Sequence, residues 1–228
     1  MLKELMIKRY LTILLVIIPT LGWAQLYVGF KAGYSPLSNI SFKPSVKSTP
    51  FYGNKPDFGL IVKYFDQKWF GLQAEVNYNQ RGYNAPYKDT YKLRQVNNYV
   101  EAPFFTQLRF NMVGVHLHVQ AGFYVAYLLS AKQGVDTTGT MVLKTYNLDL
   151  LRDNRFDYGL IGGGGLSKEF KWGVIQLDVR FLYGYGDLYK HKYRDMPDQS
   201  KAIVQNVSIS YMYNLSNLFK RQKQEINQ

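Results

Sequence analysis

The chain has 228 residues, no cysteine and a formal net charge of +12 at neutral pH. A length of this order suits one domain, and the missing cysteines exclude a disulfide framework, so an exported form must rest on packing and strand pairing. Aromatic residues make up 16% of the chain, with 20 tyrosines among them, an excess that suits the aromatic girdles at the two faces of a bilayer.

Met1–Ala24 reads as a secretory signal. Lys3, Lys8 and Arg9 give a positive start, Leu11–Ile18 an apolar core, and Gly22-Trp23-Ala24 places small residues where a signal peptidase inspects. A mature chain is expected to begin at Gln25. The apolar core falls short of the ~20 residues a membrane helix needs. No later stretch reaches that length either, which excludes a multi-span helical protein.

Eight segments alternate with a period of two, the signature of strands. The first is Leu26–Tyr34, where Val28, Phe30 and Ala32 oppose Gly29, Lys31 and Gly33. The second and third flank Asp66–Lys68 as a hairpin. Phe58, Leu60, Val62 and Tyr64 lie on one side of the second, and Leu72, Ala74 and Val76 oppose Gln73, Glu75 and Asn77 in the third. The fourth runs from about Tyr99 to Phe110, the fifth from Val115 to Leu129, and the Gly-rich sixth from about Phe156 to Ser167. Val174–Tyr185 is the seventh, with Leu177, Val179 and Phe181 against Gln176, Asp178 and Arg180; Val204–Leu215 is the eighth.

The connections alternate between long and short. Ser35–Asp57, Asn79–Asn98, Ser130–Arg155 and Gly186–Ile203 are long; Asp66–Lys68, Asn111–Gly114 and about Lys168–Gly173 are short. A transmembrane barrel sorts its connections this way, with short periplasmic turns and long extracellular loops. The expected fold is therefore all-β: an eight-stranded antiparallel up-and-down transmembrane β-barrel over residues 25–215, after a signal peptide (1–24) and before a polar basic periplasmic tail (216–228). A lipocalin-like soluble barrel is the alternative, but it would turn its hydrophobic face inward.

Several short motifs together resemble the PorT-like outer-membrane β-barrel proteins of the Bacteroidota. They are Gly29-x-Lys31-x-Gly33, Glu75-x-x-Tyr78, Tyr99-Val100-Glu101-Ala102-Pro103, Asp157-x-Gly159-Leu160 and Leu177-Asp178-x-Arg180-Phe181-x-Tyr183-Gly184. The resemblance spans the mature chain and implies an eight-stranded outer-membrane barrel. The founding members are linked to type IX secretion. The tail departs from their pattern: many such barrels end on an aromatic of the last strand, whereas this chain runs on from Ser216 to Gln228. Asp136-Thr137-Thr138 resembles the short Bacteroidota O-glycosylation site.

An eight-stranded barrel has an interior just wide enough for side chains to fill. Inward parity assigns to it Lys31, Lys63, Glu75, Glu101, Gln107, Arg109, Gln120, Asp178 and Arg180. Opposite charges in so narrow a space should pair, because an unpaired buried charge is costly. This polar network is the expected site; a proton or ion path is the alternative. Glu75 and Asp178 are each expected beside a cation, with Lys31 and Arg180 as partners. The four glycines at 162–165 lie within a strand and are expected to make room for Tyr124 or Leu182.

No catalytic, cofactor or metal site is expected. His116 and His118 face inward near a periplasmic turn, and His191 with Asp187, Asp195 and Asp198 reads as a solvated loop rather than a metal centre. Lys43, Lys47 and Lys55, then Arg81, Lys88, Lys92 and Arg94, then Lys190, Lys192, Arg194 and Lys201 make the long loops basic. At the cell surface they could meet lipopolysaccharide phosphates. The expected partners are outer-membrane lipid, lipopolysaccharide, and secretion-machinery or other envelope proteins; nucleic acid does not suit an exported barrel. The functional expectation is a non-enzymatic structural or secretion-accessory component of the envelope. A loop-mediated adhesin and a small lipid-modifying enzyme are the alternatives.

Overall fold

The computed structural model describes residues 25–43, 48–52, 55–87, 91–136, 141–190 and 197–215. The signal segment and the tail from Ser216 lie outside the described residues. Among the described residues there are ten strands: β1 (Gln25–Lys43), β2 (Thr49–Tyr52), β3 (Pro56–Phe65), β4 (Phe70–Tyr87), β5 (Tyr91–Met112), β6 (Val115–Asp136), β7 (Lys144–Tyr146), β8 (Phe156–Phe170), β9 (Gly173–Asp187) and β10 (Gln199–Asn214). Eight of them form a closed antiparallel ring in the order β1, β3, β4, β5, β6, β8, β9, β10 and back to β1. The seam sets Lys31 opposite Ser210. Closure satisfies both edges of every stave, as a hydrocarbon surround requires. The two short strands are accessories. β2 bridges β1 and β4 beyond the end of β3, and β7 lies against β6.

The alternation in sequence becomes an inside and an outside. Along β9, Leu177, Val179, Phe181 and Tyr183 are exposed, while Gln176, Asp178, Arg180 and Leu182 are buried. The same pattern leaves Phe30, Leu60, Val76, Phe104, Phe123, Leu160 and Ile209 on the outer wall. An apolar surface on this scale has no place in water, but it matches a lipid-facing band. Aromatic girdles border it. At the short-turn end Phe170 stacks on Trp172, and Trp172 on Tyr211, at 4.9 and 5.5 Å. At the other end Phe58 stacks on Tyr78 at 5.1 Å, with Tyr34, Tyr127, Phe156, Tyr158, Tyr183 and Tyr185 nearby in the register. These observations dispose of the soluble-barrel alternative, whose apolar side would face inward.

Each segment read as a long loop is partly strand, and Asn79–Asn98 almost wholly so. Asn79–Asn98 forms a hairpin, with β4 and β5 paired from Asn79↔Tyr99 to Tyr87↔Tyr91. Ser35–Lys43 continues β1, Ser130–Asp136 continues β6, and Gln199–Ile203 belongs to β10. The outward apolar alternation stops at the membrane surface, so the period-two signal fades there although the backbone pairing carries on. Register shifts fall at that level, between Tyr34 and Leu37, between Asn98 and Tyr99, and between Lys201 and Ile203. Two of the short turns are tighter than expected, with only Val113-Gly114 and Lys171-Trp172 between strands, while the first spans Asp66–Trp69, one residue more than expected. Gly114 has a φ of 77°, which only glycine adopts at little cost.

Apolar clusters close the interior at both ends. Tyr27, Ile61, Phe65, Val174 and Met212 fill the short-turn end. Ile40, Phe42, Tyr83, Leu188 and Val204 belong to a larger cluster that reaches down to Phe105, Tyr124 and Ile161.

Candidate functional site: the charged lumen

Between those clusters, alternate residues of seven staves converge in two charged layers. The lower one centres on Arg180. Its guanidinium grips Glu75 with both arms, at 2.8 and 2.9 Å, and lies 3.3 Å from Asp178. Such a fork fixes geometry as well as charge. Lys31 sits 3.2 Å from Glu75 and 3.0 Å from Asp57. Asp178 accepts from Gln120 and Gln176 and shares a 2.8 Å hydrogen bond with His118 Nε2. Asn77 and Gln73 both donate to Glu75. The face of Phe105 lies 4.7 Å from the Arg180 guanidinium.

The second layer centres on Arg81, which bonds Glu101 and, at 2.6 Å, Asp157. Its guanidinium lies 4.8 Å from the centre of the Tyr99 ring and 5.0 Å from that of Tyr124. The Tyr124 hydroxyl donates to Asp157 at 2.9 Å. A cavity of about 20 Å³ separates the layers, bordered by Lys31, Asp57, Asn79, Arg81, Glu101 and Arg180. That is room for about one water.

Of the residues singled out in the sequence, Lys31, Glu75, Gln120, Asp178 and Arg180 meet in the lower layer. Glu101 lies in the upper one. Lys63 stands apart, donating to Gln176 rather than to a carboxylate. Gln107 is buried, while Arg109 reaches the rim, pairs with Glu169 at 3.1 Å and covers Phe65.

Two residues read as surface cations are interior. Arg81 is 2% exposed and so is Lys55. Arg81 keeps the parity of Glu75, Asn77 and Asn79, because β4 runs on where a loop was expected. Asp57, Asp157 and His118 were missed as network members, although His118 lies two positions from Gln120 on β6 and Asp57 six from Lys63 on β3, each at the same parity; the Gly-rich β8 has no other buried charge to mark Asp157. The glycine run also has a different use. Tyr124 leans over Gly159 and Gly184, whereas Gly165 lies against the His118 ring and Gly163 against the backbone of Val179 and Arg180.

Lys43, Lys92 and Lys190 are exposed, and Arg94 bonds Asn84. Lys47, Lys88, His191, Lys192, Arg194, Asp195 and Thr137-Thr138 lie outside the described residues. Among the described residues, no three His, Asp or Glu side chains group as a metal ion would require.

A closed ring of tilted strands, an apolar outside bounded by aromatic girdles and a polar packed inside define an outer-membrane β-barrel. Residues 23–190 match the family described as outer membrane protein beta-barrel domain, and the chain belongs to that family. Its place is the outer membrane. A search of the curated proteins gives no match. Among solved structures, Ail of Yersinia pestis is 15% identical, with 83% of this chain and 97% of that one covered and a TM-score of 0.41. OprG of Pseudomonas aeruginosa is 11% identical, covering 84% and 92%, with a TM-score of 0.42. Neisserial surface protein A is 12% identical, covering 82% and 96%, with a TM-score of 0.39.

Proposed function

We propose that the protein is a non-enzymatic structural or secretion-accessory component of the outer-membrane envelope, of the PorT-like kind that its motifs resemble. The observation that carries this reading is the filled lumen. Both charged layers are internally bonded, and apolar clusters cap them on either side. Such an interior suits a rigid membrane post for other envelope proteins better than a conduit. Its partners on this reading are secretion-machinery or other envelope proteins, together with outer-membrane lipid and lipopolysaccharide at the exposed Lys43, Lys92 and Lys190. Deleting the gene should leave secreted cargo in the periplasm, and crosslinking in intact cells should trap a neighbouring envelope protein. Unchanged secretion with no crosslinked neighbour would overturn the reading.

A second reading, a surface adhesin, draws on the β4–β5 hairpin, which rises well beyond the upper girdle. Joining Asn79 to Asn98 by a short turn, which removes the hairpin above the girdle, should then abolish surface binding while leaving secretion intact.

A further inference from the structure

Lys63 stands out among the charged residues of the lumen. Lys31, Arg81 and Arg180 each meet carboxylates. Lys63 donates instead to the neutral Gln176 side chain and lies 5.7 Å from the centre of the Phe65 ring. Among the described residues, no carboxylate stands within ion-pair distance of it, although it is only 4% exposed. An ammonium has three donors, and a buried one without a counter-charge is costly. Its place near the periplasmic opening lets a carboxylate from outside supply what the lumen does not.

Lys63 borders a cavity of about 10 Å³ at the short-turn end, which it shares with Tyr27, Phe65, Arg109, Ser167 and Glu169. Arg109 is held firmly there by the turn after β3. Its Nε donates to the Lys68 carbonyl at 3.0 Å and its backbone N–H to the Trp69 carbonyl at 2.7 Å. Its guanidinium lies 4.3 Å from the centre of the Phe65 ring. Glu169 is held less firmly: its side chain is 42% exposed, 3.1 Å from Arg109 and 3.3 Å from the Tyr27 hydroxyl. An ion pair so exposed contributes little, so a second carboxylate can exchange with Glu169. The cavity itself has room for about one water, and a carboxylate therefore enters by replacing Glu169, not by adding to it. The surrounding turns are basic, with Lys68, Lys168 and Lys171 exposed against Asp66 and Glu169.

We propose that the periplasmic opening docks an acidic segment of a periplasmic protein. One of its carboxylates displaces Glu169, takes the Arg109 guanidinium and the Tyr27 hydroxyl, and brings negative charge towards Lys63. These groups face the lumen and not the lipid, so an anionic headgroup of the inner leaflet does not reach them. The inference rests on the reading of the barrel as a post for envelope proteins, and it adds the partner's chemistry and the face it approaches.

Trp69 and Trp172 lie on the turns of this end, so tryptophan fluorescence of the folded barrel in detergent reports on it. The peptide acetyl-Gly-Glu-Gly-Glu-Gly-amide should change that fluorescence saturably, and its Gln counterpart should not. Arg109→Gln and Lys63→Gln should each weaken peptide binding ~tenfold, as the loss of one charge-assisted contact does. Glu169→Ala should tighten binding, because the competing carboxylate is gone. Lys43→Gln, at the far end, should leave it unchanged. Equal binding of the two peptides overturns the proposal, as does a Glu169→Ala variant that binds no tighter than the parent. Glu169 is exposed, so that variant decides the matter even if the other two fail to fold. A fluorescence change of the same size in phosphatidylglycerol nanodiscs, abolished by Arg109→Gln, would assign the opening to lipid and also overturn it. Failure of the peptide beside a crosslinked envelope neighbour in cells removes this site and leaves the proposed function standing.

Discussion

Arg180 and Glu75, 105 residues apart in sequence, meet across the lumen in a two-armed ion pair with neither side chain more than 1% exposed. Removing Glu75 would leave two cations, Arg180 and Lys31, facing each other without their shared carboxylate. Breaking a buried pair in this way typically costs ~3–5 kcal/mol. Glu75→Ala should therefore lower the unfolding midpoint in detergent far more than Lys144→Ala, which changes an exposed residue of β7. Equal midpoints, measured side by side, would mean that water solvates the interior.

Arg81 offers a sharper comparison. Lys keeps the charge but loses the planar fork and the stacking between two rings. Arg81→Lys should destabilise the barrel clearly, and Arg81→Ala more so, each read as a lower temperature for loss of heat-modifiable migration on a gel. A silent Arg81→Lys would show that charge alone holds the upper layer.

Among the described residues, the packed layers and their apolar caps leave a cavity of about 20 Å³ between them, room for about one water. In planar bilayers the purified protein should give no stable porin-sized steps. Reproducible large steps would show that the interior can be displaced.

Above the membrane, the hydroxyls of Tyr83 and Tyr189 lie 3.1 Å apart and both donate to Gln95. Burial pushes the Tyr83 phenol up to about 12 and raises that of Tyr189 as well. The fold thus favours the neutral phenols over the unfolded chain, where they ionise near ~10. That stabilisation is complete below about pH 10 and is lost as the pH climbs towards about 12. Protease sensitivity of the surface hairpins should rise across this window, and Tyr83→Phe should delay it. Sensitivity that stays flat to pH 12 would count against the buried phenols.

The tight approach of staves makes Gly159 one of several strand glycines with no room for a side chain. A Cβ on Gly159 would press on the Tyr183 carbonyl and come within 2.8 Å of the Tyr124 ring. Gly159→Ala should shift Tyr124 off Asp157 and lower thermal stability, whereas Gly162→Ala, where the nearest atom is 3.4 Å away, should be mild.

The staves were legible in sequence because each crosses from lipid to lumen at every step, so Leu177 through Tyr183 announce both their conformation and their sides. The same parity marked Lys31, Glu75, Asp178 and Arg180 as interior. It stopped short of Arg81, since above the girdle both faces of β4 carry polar residues and the rule that separates them loses its contrast. Which inward charge touches which was not legible, because strand tilt offsets the staves and pairs such as Arg180 with Glu75 follow from that stagger.

The register shifts near the upper girdle change what a strand says about its surroundings. On β6, odd-numbered residues face lipid as far as Leu129, yet Ala131 is buried and Lys132 points to water. The extra residue inverts the code where the solvent changes, so one continuous strand can be written for hydrocarbon below and for water above. Deleting Ser130 would remove the extra residue and restore strict alternation, with Ala131 still inward and Lys132 still outward; without the slip and with every residue kept, Lys132 would turn to the interior. In this barrel, membrane height is fixed as much by where the count slips as by which residues are greasy.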